Sequence, residues 1–329
     1  MLRALTCLAL TCALVLFGSC GSDQDDAFHI YTSIYPQVIE KMEPKLEEAF
    51  PDVEFRWLQL GSEQIAGRLG IELDTGTARC DMLLTSDPFF YAQLAEAGHL
   101  LPYESPNAKD VPAGLKDPHF TTVRVPLMVI AVNHDKLPRA EHPTSFADLA
   151  DPRFKGKLAM GDPAKSGTTF TTVAAWVRKY DWPFIEKLKA NDIVSAGGNS
   201  SVLREVESGA RPVGVILLEN LLPSLEKGAP ITVVYPSDGA IPVPSPAAIL
   251  KHTDTPDLAK QVYDFLFTEA MQREIVAGFM YSPIPSNAPP AGGKPWNELA
   301  LFPWDAEALR WVTKERGAIK TRFRTILRD

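Results

Sequence analysis

The sequence predicts an α/β protein of two lobes, each a mainly parallel sheet flanked by helices. Residues 28–98 alternate between apolar strand-like runs and amphipathic helical runs in the order β-α-β-α-β-α, which is typical of an open parallel sheet. A second series of strands and helices follows between residues 158 and 235. With 329 residues, 45% of them hydrophobic, the chain is long enough to form two cores.

The first lobe begins with a strand at residues 28–34 and a helix that starts near Pro36, since proline suits the first turn of a helix. Strands at 53–59 and 81–85 follow, and each leads into a further helix. Cys80, at the start of the third strand, is expected to be a small buried core residue.

A β-rich run at residues 121–133 is long enough to cross out of the first lobe, and Pro126 predicts a bend or an edge position within it. Strands of the second lobe are predicted at 158–160, 212–218 and 231–235. A strand at 247–250 then rejoins the first lobe, followed by helices at 256–267, 269–279 and 305–327. We therefore assign residues 28–125 and 245–329 to the first lobe and residues 126–244 to the second.

The N-terminus reads as a signal peptide over residues 1–20. Arg3 precedes about 14 apolar-biased residues, fewer than the ~18–20 that span a bilayer. Cys20 stands where a bacterial lipobox would place its cysteine, although an aromatic residue replaces the usual Leu or Val three positions earlier. We expect acylation of Cys20, membrane anchoring in the periplasm or cell envelope, and a polar tether at residues 21–27. Ordinary cleavage and release into the periplasm is the alternative.

Composition narrows the possible partners. The formal net charge is −8 and no Lys/Arg cluster occurs, so we expect no nucleic-acid partner. Cys7 and Cys12 leave with the signal peptide, and Cys20 would be acylated. One remaining thiol can form neither an internal disulfide nor a zinc site, and we expect no metal and no cofactor.

The segment Ser166-Gly167-Thr168-Thr169 is the first candidate binding element. It lies between the strand at 158–160 and a strongly apolar helical pattern. A turn of hydroxyl residues and glycine at a helix start leaves free N–H groups at the positive end of the helix dipole, where anions bind. An ordinary helix cap is the alternative interpretation.

Three more turns of this kind follow strands of the first lobe: Thr32-Ser33, Gly61-Ser62 and Ser86-Asp87. Because ligands bind outside the carboxyl ends of the strands in open α/β sheets, we expect these turns to converge on one polar ligand site. Asn199 and Ser200 belong to a similar capped helix start in the second lobe.

From residue 28 onward, the chain resembles the iron-type, family 1 solute-binding proteins of bacterial ABC importers. The matching stretches are Ile30–Phe55, Cys80–Tyr103, Ser145–Phe170, Gly214–Ala240 and Ser245–Ile275. The resemblance implies a periplasmic-binding-protein fold, in which two lobes joined by two crossing strands close over a ligand. It also implies that the closed protein docks on a membrane permease driven by an ATPase. We expect a monomer.

This family includes ferric-ion binders and organic-anion binders. Ferric binders typically present two tyrosines where this chain has Glu219 and Asn220. They also tend to carry a Glu and a His in two turns where this chain has Ser86 and the segment Ser33–Pro36. Hard Fe(III) bound without phenolates would need other oxygen ligands, so ferric ion is the alternative rather than the expected cargo.

The expected ligand is a small organic anion of the phosphonate or sugar-phosphate type, because Ser, Thr, Gly and Asn at helix starts supply neutral donors. Glu219 and Asp238 would face the cleft from the second lobe and would repel a simple anion. We therefore expect an organophosphorus compound that also carries amine or hydroxyl groups. A helix cap and a turn residue are the alternative roles for the two acids.

Two other classes of function compete with binding and transport. A periplasmic hydrolase could use Ser166 or Ser200 as a nucleophile, but neither lies in a G-x-S-x-G turn, and the six histidines show no metal-ligand spacing. We therefore expect a binding protein rather than an enzyme. A surface adhesin or interaction lipoprotein with a vestigial cleft is the third possibility.

Overall fold

The structure, a computed structural model, describes residues 26–328. The predicted signal peptide, Cys20 and residues 21–25 of the tether lie outside the described residues. Among residues 26–328, no helix combines the length and the apolar character that a membrane crossing requires.

The first lobe is built on a six-stranded sheet of order β2-β1-β3-β12-β5-β4. Its strands are β1 (Phe28–Thr32), β2 (Phe55–Gln59), β3 (Met82–Leu84), β4 (Lys116–Asp117), β5 (Phe120–Arg124) and β12 (Ser245–Ile249). The helices that follow the first three strands are α1 (Pro36–Ala49), α2 (Ser62–Thr75) and α3 (Pro88–Glu96), and α8 (Pro256–Phe265) and α9 (Glu269–Ala277) come late in the chain. Cys80 is buried, as predicted.

The second lobe contains a sheet of order β10-β6-β9-β7-β8, with β11 paired to β6. Its strands are β6 (Leu127–Asn133), β7 (Leu158–Met160), β8 (Val194–Ser195), β9 (Val213–Leu217), β10 (Ile231–Val234) and β11 (Ile241–Pro242). Its helices are α4 (Gly167–Tyr180), α5 (Trp182–Ala190), α6 (Asn199–Ser208) and α7 (Leu218–Glu226).

The predicted α/β architecture is confirmed, but both sheets are mixed rather than mainly parallel. In the first lobe, β1 pairs in parallel with β2 and β3, whereas β12 is antiparallel to β3 and β5. In the second lobe, β7 is parallel to β8 and β9, whereas β6 is antiparallel to β9 and β10. The antiparallel strands flank the crossings between lobes, where no β-α-β connection imposes a parallel direction.

The predicted long strand at 121–133 is two strands in two sheets. β5 ends at Arg124, and β6 begins at Leu127. Val125 and Pro126 form the bend between them, because proline cannot continue the hydrogen-bond ladder of a central strand. The chain returns through β11 and β12, so the predicted second crossing is present.

The last helix, α10 (Ala306–Arg328), contacts both lobes. It packs against α3 of the first lobe and against α4 and α5 of the second. Its buried residues Val312, Ile319 and Phe323 belong to the same core cluster as β6, β7 and α4. From the sequence, residues 305–327 were assigned to the first lobe. The lobe boundaries stay a prediction, and this helix contacts both lobes.

Candidate functional site

A polar cleft lies between the lobes, with a volume of about 320 Å³. Its first-lobe lining is Ser33, Tyr35, Gln59, Leu60, Gly61, Ser62, Gln64 and Ser86. Its second-lobe lining is Lys165, Ser166, Thr168, Gly197, Gly198, Asn199, Ser200, Leu217 and Glu219. The volume is that of a small-molecule site.

Three helix N-termini open on this cleft. Helix α2 begins after Gly61, α4 after Ser166, and α6 after Gly198. Ser166 caps α4 through its Oγ, which accepts a hydrogen bond from the Thr169 N–H at 3.3 Å. The first turn of each helix has N–H groups without intrahelical acceptors, at the positive end of the helix dipole. Both lobes therefore direct positive partial charge into the same space.

The first-lobe hydroxyls are polarised from behind by Arg124. Its Nη2 donates to Ser86 Oγ at 2.8 Å and to Ser33 Oγ at 3.4 Å. The Ser86 N–H donates to Ser33 Oγ at 3.1 Å and to Ser62 Oγ at 3.2 Å. Ser33 Oγ in turn donates to Ser86 Oγ at 3.5 Å. Because the Ser62 and Ser86 oxygens accept hydrogen bonds, their own hydrogens are left to donate, and an anion is the matching acceptor.

Arg124 itself was not predicted from the sequence. It is the last residue of β5, directly before the bend between lobes, and only 2% of its surface is exposed. Burial lowers the pKa of its guanidinium, and Glu219 opposes that effect. A single charged residue within the apolar run of residues 121–132 was the signal that could have identified it.

Glu219 faces Arg124 from the first turn of α7. Its Oε1 lies 3.8 Å from Arg124 Nη1, which is too long for a hydrogen bond. Within the described residues, its buried Oε2 has no hydrogen-bond partner. Burial raises the pKa of this carboxyl to about 7, and Arg124 acts in the opposite direction. A buried carboxyl with an unpaired oxygen in a cleft indicates a place for a ligand donor.

Two further contacts hold the walls of the cleft. The Tyr35 hydroxyl donates to Asn220 Oδ1 at 3.1 Å, which joins the first lobe to the second. Burial and the nearby Glu219 raise the pKa of Tyr35 to about 12, so the phenol keeps its proton. In the second lobe, Asn199 Nδ2 donates to Thr168 Oγ1 at 3.0 Å and fixes that hydroxyl beside Ser166.

The lobes are in close contact at two glycines. A Cβ on Gly61 would lie 2.6 Å from the carbonyl oxygen of Lys165 in the other lobe. A Cβ on Gly167 would lie 2.4 Å from the carbonyl oxygen of Ser86. Any other residue at either position would force the backbones apart, so the two glycines permit this closed arrangement.

Comparison with known proteins identifies the family. The model of the bacterial extracellular solute-binding proteins matches residues 79–307, which is more than half of the chain. The chain belongs to this family. It is the solute-binding component of an ABC importer, and its family places it in the periplasm. Members of the family are binding proteins.

Individual relatives agree with this assignment. A probable ABC transporter periplasmic-binding protein of Sinorhizobium fredii, y4fP, is 27% identical over 244 residues, covering 70% of this chain and 67% of that protein. AfuA of Actinobacillus pleuropneumoniae, solved with fructose-6-phosphate bound, has a TM-score of 0.81 at 22% identity, covering 92% of this chain and 98% of AfuA. Iron-bound HitA of Pseudomonas aeruginosa has a TM-score of 0.79 at 19% identity, covering 90% and 99%. These structures establish the shared fold.

Nine of the predicted site residues of this solute-binding protein line the cleft. They are Ser33, Gly61, Ser62, Ser86, Ser166, Thr168, Asn199, Ser200 and Glu219. The flanking residues Tyr35, Gln59, Leu60, Gln64, Lys165, Gly197, Gly198 and Leu217 complete the lining and were not predicted. Most of them are neighbours in sequence of a predicted turn, and that position was the signal that could have identified them.

Two predicted acids lie away from the lining of the cleft. Asp87 is fully buried, caps α3 by accepting from the Phe90 N–H at 3.3 Å, and pairs with Arg316. Asp238 accepts from the N–H groups of Phe146 and Ala147 at 3.0 and 2.9 Å. Both carboxylates therefore have protein partners, which for Asp238 agrees with the turn role that was its alternative.

Three other predicted residues also lie behind the lining. Thr32 Oγ1 donates to the Leu84 carbonyl at 2.9 Å, which fastens β1 to β3. Gly167 packs against the backbone of Ser86, and the side chain of Thr169 packs against Gly161. Each of these three residues is adjacent to a lining residue, and the sequence does not reveal that it lies on the other side of the turn.

Proposed function

We propose that this protein captures a small anionic organic solute, of the phosphonate or sugar-phosphate type, and delivers it to the permease and ATPase of its importer. The convergence of three helix N-termini from both lobes on one cleft is the observation that supports this ligand class. Arg124 adds a full positive charge behind the first-lobe hydroxyls. The lobes supply different donors, so an anion binds best when both are closed.

The acidic side of the cleft supports a ligand with a second functional group. Glu219 presents an unpaired, buried oxygen that a ligand hydroxyl or ammonium would satisfy. With a pKa near 7, this carboxyl can accept a hydrogen bond when ionised and donate one when protonated. A sugar phosphate or an aminoalkylphosphonate has both the anionic group and the required donor.

Ferric ion is the competing cargo within the same fold. Tyr35 is the only phenol among the described lining residues, and its pKa is raised rather than lowered. Among residues 26–328, no group of three or more His, Cys, Asp or Glu side chains is arranged to hold a metal. Both observations favour an organic anion, because Fe(III) requires several anionic oxygen ligands.

The proposal includes binding without catalysis. No histidine or cysteine is found among the described residues that line the cleft, so Ser166 and Ser200 lack the usual base of a serine nucleophile. Anchoring through a lipid on Cys20, a monomeric state and the lobe boundaries at residues 125 and 245 are also part of the proposal.

A ligand panel tests the proposal directly. The mature protein is screened by thermal shift against sugar phosphates, phosphonates, the matching uncharged sugars and ferric citrate. A ligand present at 100 times its dissociation constant adds about 2.7 kcal/mol of stability and raises the melting temperature by several degrees. We expect this shift from organophosphorus compounds alone. A coloured ferric complex would support the alternative, and no shift from any phosphorus compound would refute the proposal.

A matched pair of helix caps separates binding from folding. Ser166 caps α4 inside the cleft, and Thr268 caps α9 outside it by accepting from the Met271 N–H. Replacing either with Ala should cost about 1 kcal/mol of stability. Only Ser166→Ala should weaken anion binding, by about tenfold in calorimetry. Equal affinity in the two variants would remove Ser166 from the site.

A further inference from the structure

Four charges form a largely buried cluster behind the cleft, which we call the rear cluster: Glu63, Asp87, Arg316 and Lys320. Arg316 Nη2 donates to both carboxylate oxygens of Glu63, at 3.0 and 2.9 Å. Arg316 Nε donates to Asp87 Oδ2 at 3.1 Å, and Lys320 donates to Glu63. The side chains of Glu63 and Asp87 are 6% and 0% exposed. Two cations of α10 thus neutralise two acids of the first lobe.

The two acids of the rear cluster adjoin the anion-binding helix starts. Glu63 follows the lining residue Ser62 in the first turn of α2, and Asp87 follows the lining residue Ser86. A Cβ on Gly167, the first residue of α4, would lie 3.0 Å from Asp87 Cβ and 2.9 Å from Ser62 Cβ. Asp87 therefore lies against the start of α4, and Glu63 lies in the first turn of α2, two helix starts that open on the cleft.

A negative charge in this position opposes an anionic ligand. Carboxylates near a helix N-terminus interact with the same N–H dipoles that would hold the ligand. Repulsion between like charges is strong where water is excluded, because the effective dielectric constant is low. The cations of α10 cancel this repulsion only while they remain beside the acids.

Helix α10 holds its cations rigidly at the junction of the lobes. Val312 and Ile319, one helical turn from Arg316, are buried in the core of the second lobe. Arg316 lies 5.7 Å from the ring centroid of Phe170 in α4, and Lys320 lies 4.7 Å from the same ring. Burial and Asp87 raise the pKa of Glu63 to about 7, whereas Arg316 and Lys320 lower it. The ionised state of Glu63 thus depends on α10.

We infer that α10 sets the anion affinity of the cleft from outside it, because Arg316 and Lys320 neutralise the carboxylates of Glu63 and Asp87 behind the helix N-termini. Lys320 and Arg316 are positioning residues and touch no ligand. This inference rests on the proposed anion-binding function. It adds a determinant that no residue of the cleft lining supplies.

Removal and restoration of one charge pair tests the inference. Calorimetry at pH 9, above the raised pKa of Glu63, measures binding of fructose 6-phosphate and 2-aminoethylphosphonate to the mature protein. Lys320→Met should lower the affinity for whichever of the two anions binds, by about fivefold to tenfold, because Glu63 loses a cation. Adding Glu63→Gln to Lys320→Met should restore the wild-type affinity, because the carboxylate that repels the anion is removed. Lys320→Arg should bind as the wild type does.

The control removes the same formal charge from the same helix. Arg324 is exposed, and Arg324→Met should leave the affinity unchanged. If the wild type binds the anion and Lys320→Met binds it equally, or if Glu63→Gln fails to restore affinity, the inference is wrong and the proposed function stands. If the wild type binds neither compound, the proposed function fails and the inference fails with it. Thermal unfolding of each variant shows that the comparison is made on folded protein.

Discussion

Arg124 binds Ser86 and Arg316 binds the next residue, Asp87, so two groups of charges meet at neighbouring residues, and they differ in how completely they are paired. In the rear cluster, Glu63 and Asp87 accept direct hydrogen bonds from the cations of α10. In the cleft, Arg124 and Glu219 are 3.8 Å apart, and one carboxylate oxygen has no partner among the described residues. Complete pairing is typical of a structural element, whereas incomplete pairing indicates that a ligand completes the site.

The largest effect on stability and affinity is expected from breaking the ion pair of Arg124 and Glu219, which we call the cleft pair. Arg124→Met leaves Glu219 buried without its cation and removes the donor to Ser86 Oγ, so unfolding should become easier by about 3–5 kcal/mol. Anion affinity should fall by more than about 100-fold, because a charge-assisted network is lost. Urea unfolding and calorimetry measure the two effects.

A double variant shows whether Arg124 serves folding, binding or both. Arg124→Met combined with Glu219→Gln removes both charges and should recover most of the stability, because no unpaired charge stays buried. It should not recover anion affinity. Recovery of both properties would mean that Arg124 only balances Glu219.

Breaking the rear cluster should have the next largest effect on stability. Arg316→Met leaves Glu63 paired with Lys320 alone and takes away the cation that pairs with Asp87, and we expect a loss of about 2–4 kcal/mol in urea unfolding. Arg316→Lys keeps the charge but not the fork-shaped donor geometry, so it should recover only part of the loss. A loss below about 0.5 kcal/mol in Arg316→Met would contradict the view that the paired charges of this cluster stabilise the fold.

The cleft pair should also give stability a particular dependence on pH. The pKa of Glu219 is raised to about 7 in the folded protein, so the folded state holds this proton more tightly than the unfolded state does. The associated stability is fully present below the ordinary pKa of Glu and is lost as the pH rises through about 7. Between pH 5 and pH 8, the wild type should lose on the order of 1–3 kcal/mol that Glu219→Gln does not lose.

Other titrating groups, including Glu63, are common to both proteins, so the difference between the two pH profiles isolates Glu219. Arg124 is the charged group that acts on the pKa of this carboxyl, and Glu219 in turn raises the pKa of Tyr35. Urea unfolding at each pH provides the profiles. Parallel profiles would show that Glu219 is ionised throughout, with a pKa near its ordinary value.

Much of the fold could be predicted because its signals are local. Apolar runs, hydroxyl caps and Pro126 gave the strands, the helix starts and the bend between lobes. The mixed direction of the sheets depends instead on where the crossing strands enter, which no local pattern encodes. The partners of α10 are equally non-local, since an apolar stripe predicts a buried face but not the surface that covers it.

The site was predictable to the level of turns but not of individual side chains. Ser86 faces the cleft and the adjacent Asp87 faces α10, and the sequence makes both polar residues equal candidates. Arg124 was missed because its role comes from two hydroxyls that are distant in the chain, at Ser33 and Ser86. Contacts over such separations appear only once the lobes are assembled.

The smallest effect, and the most selective one, is expected where the lobes meet. Gly61→Ala places a methyl group 2.6 Å from the Lys165 carbonyl oxygen, so the lobes cannot reach the arrangement that brings Arg124 and Glu219 together. Affinity should fall by about tenfold, or about 1.4 kcal/mol, while the stability of each lobe is retained. Gly67→Ala makes the same change six residues along the same helix, where a Cβ meets nothing within 4 Å, and should leave binding intact. X-ray scattering with and without ligand measures closure of the lobes. If Gly61→Ala closes and binds as well as Gly67→Ala does, then binding in the cleft does not require close contact between the lobes at Gly61.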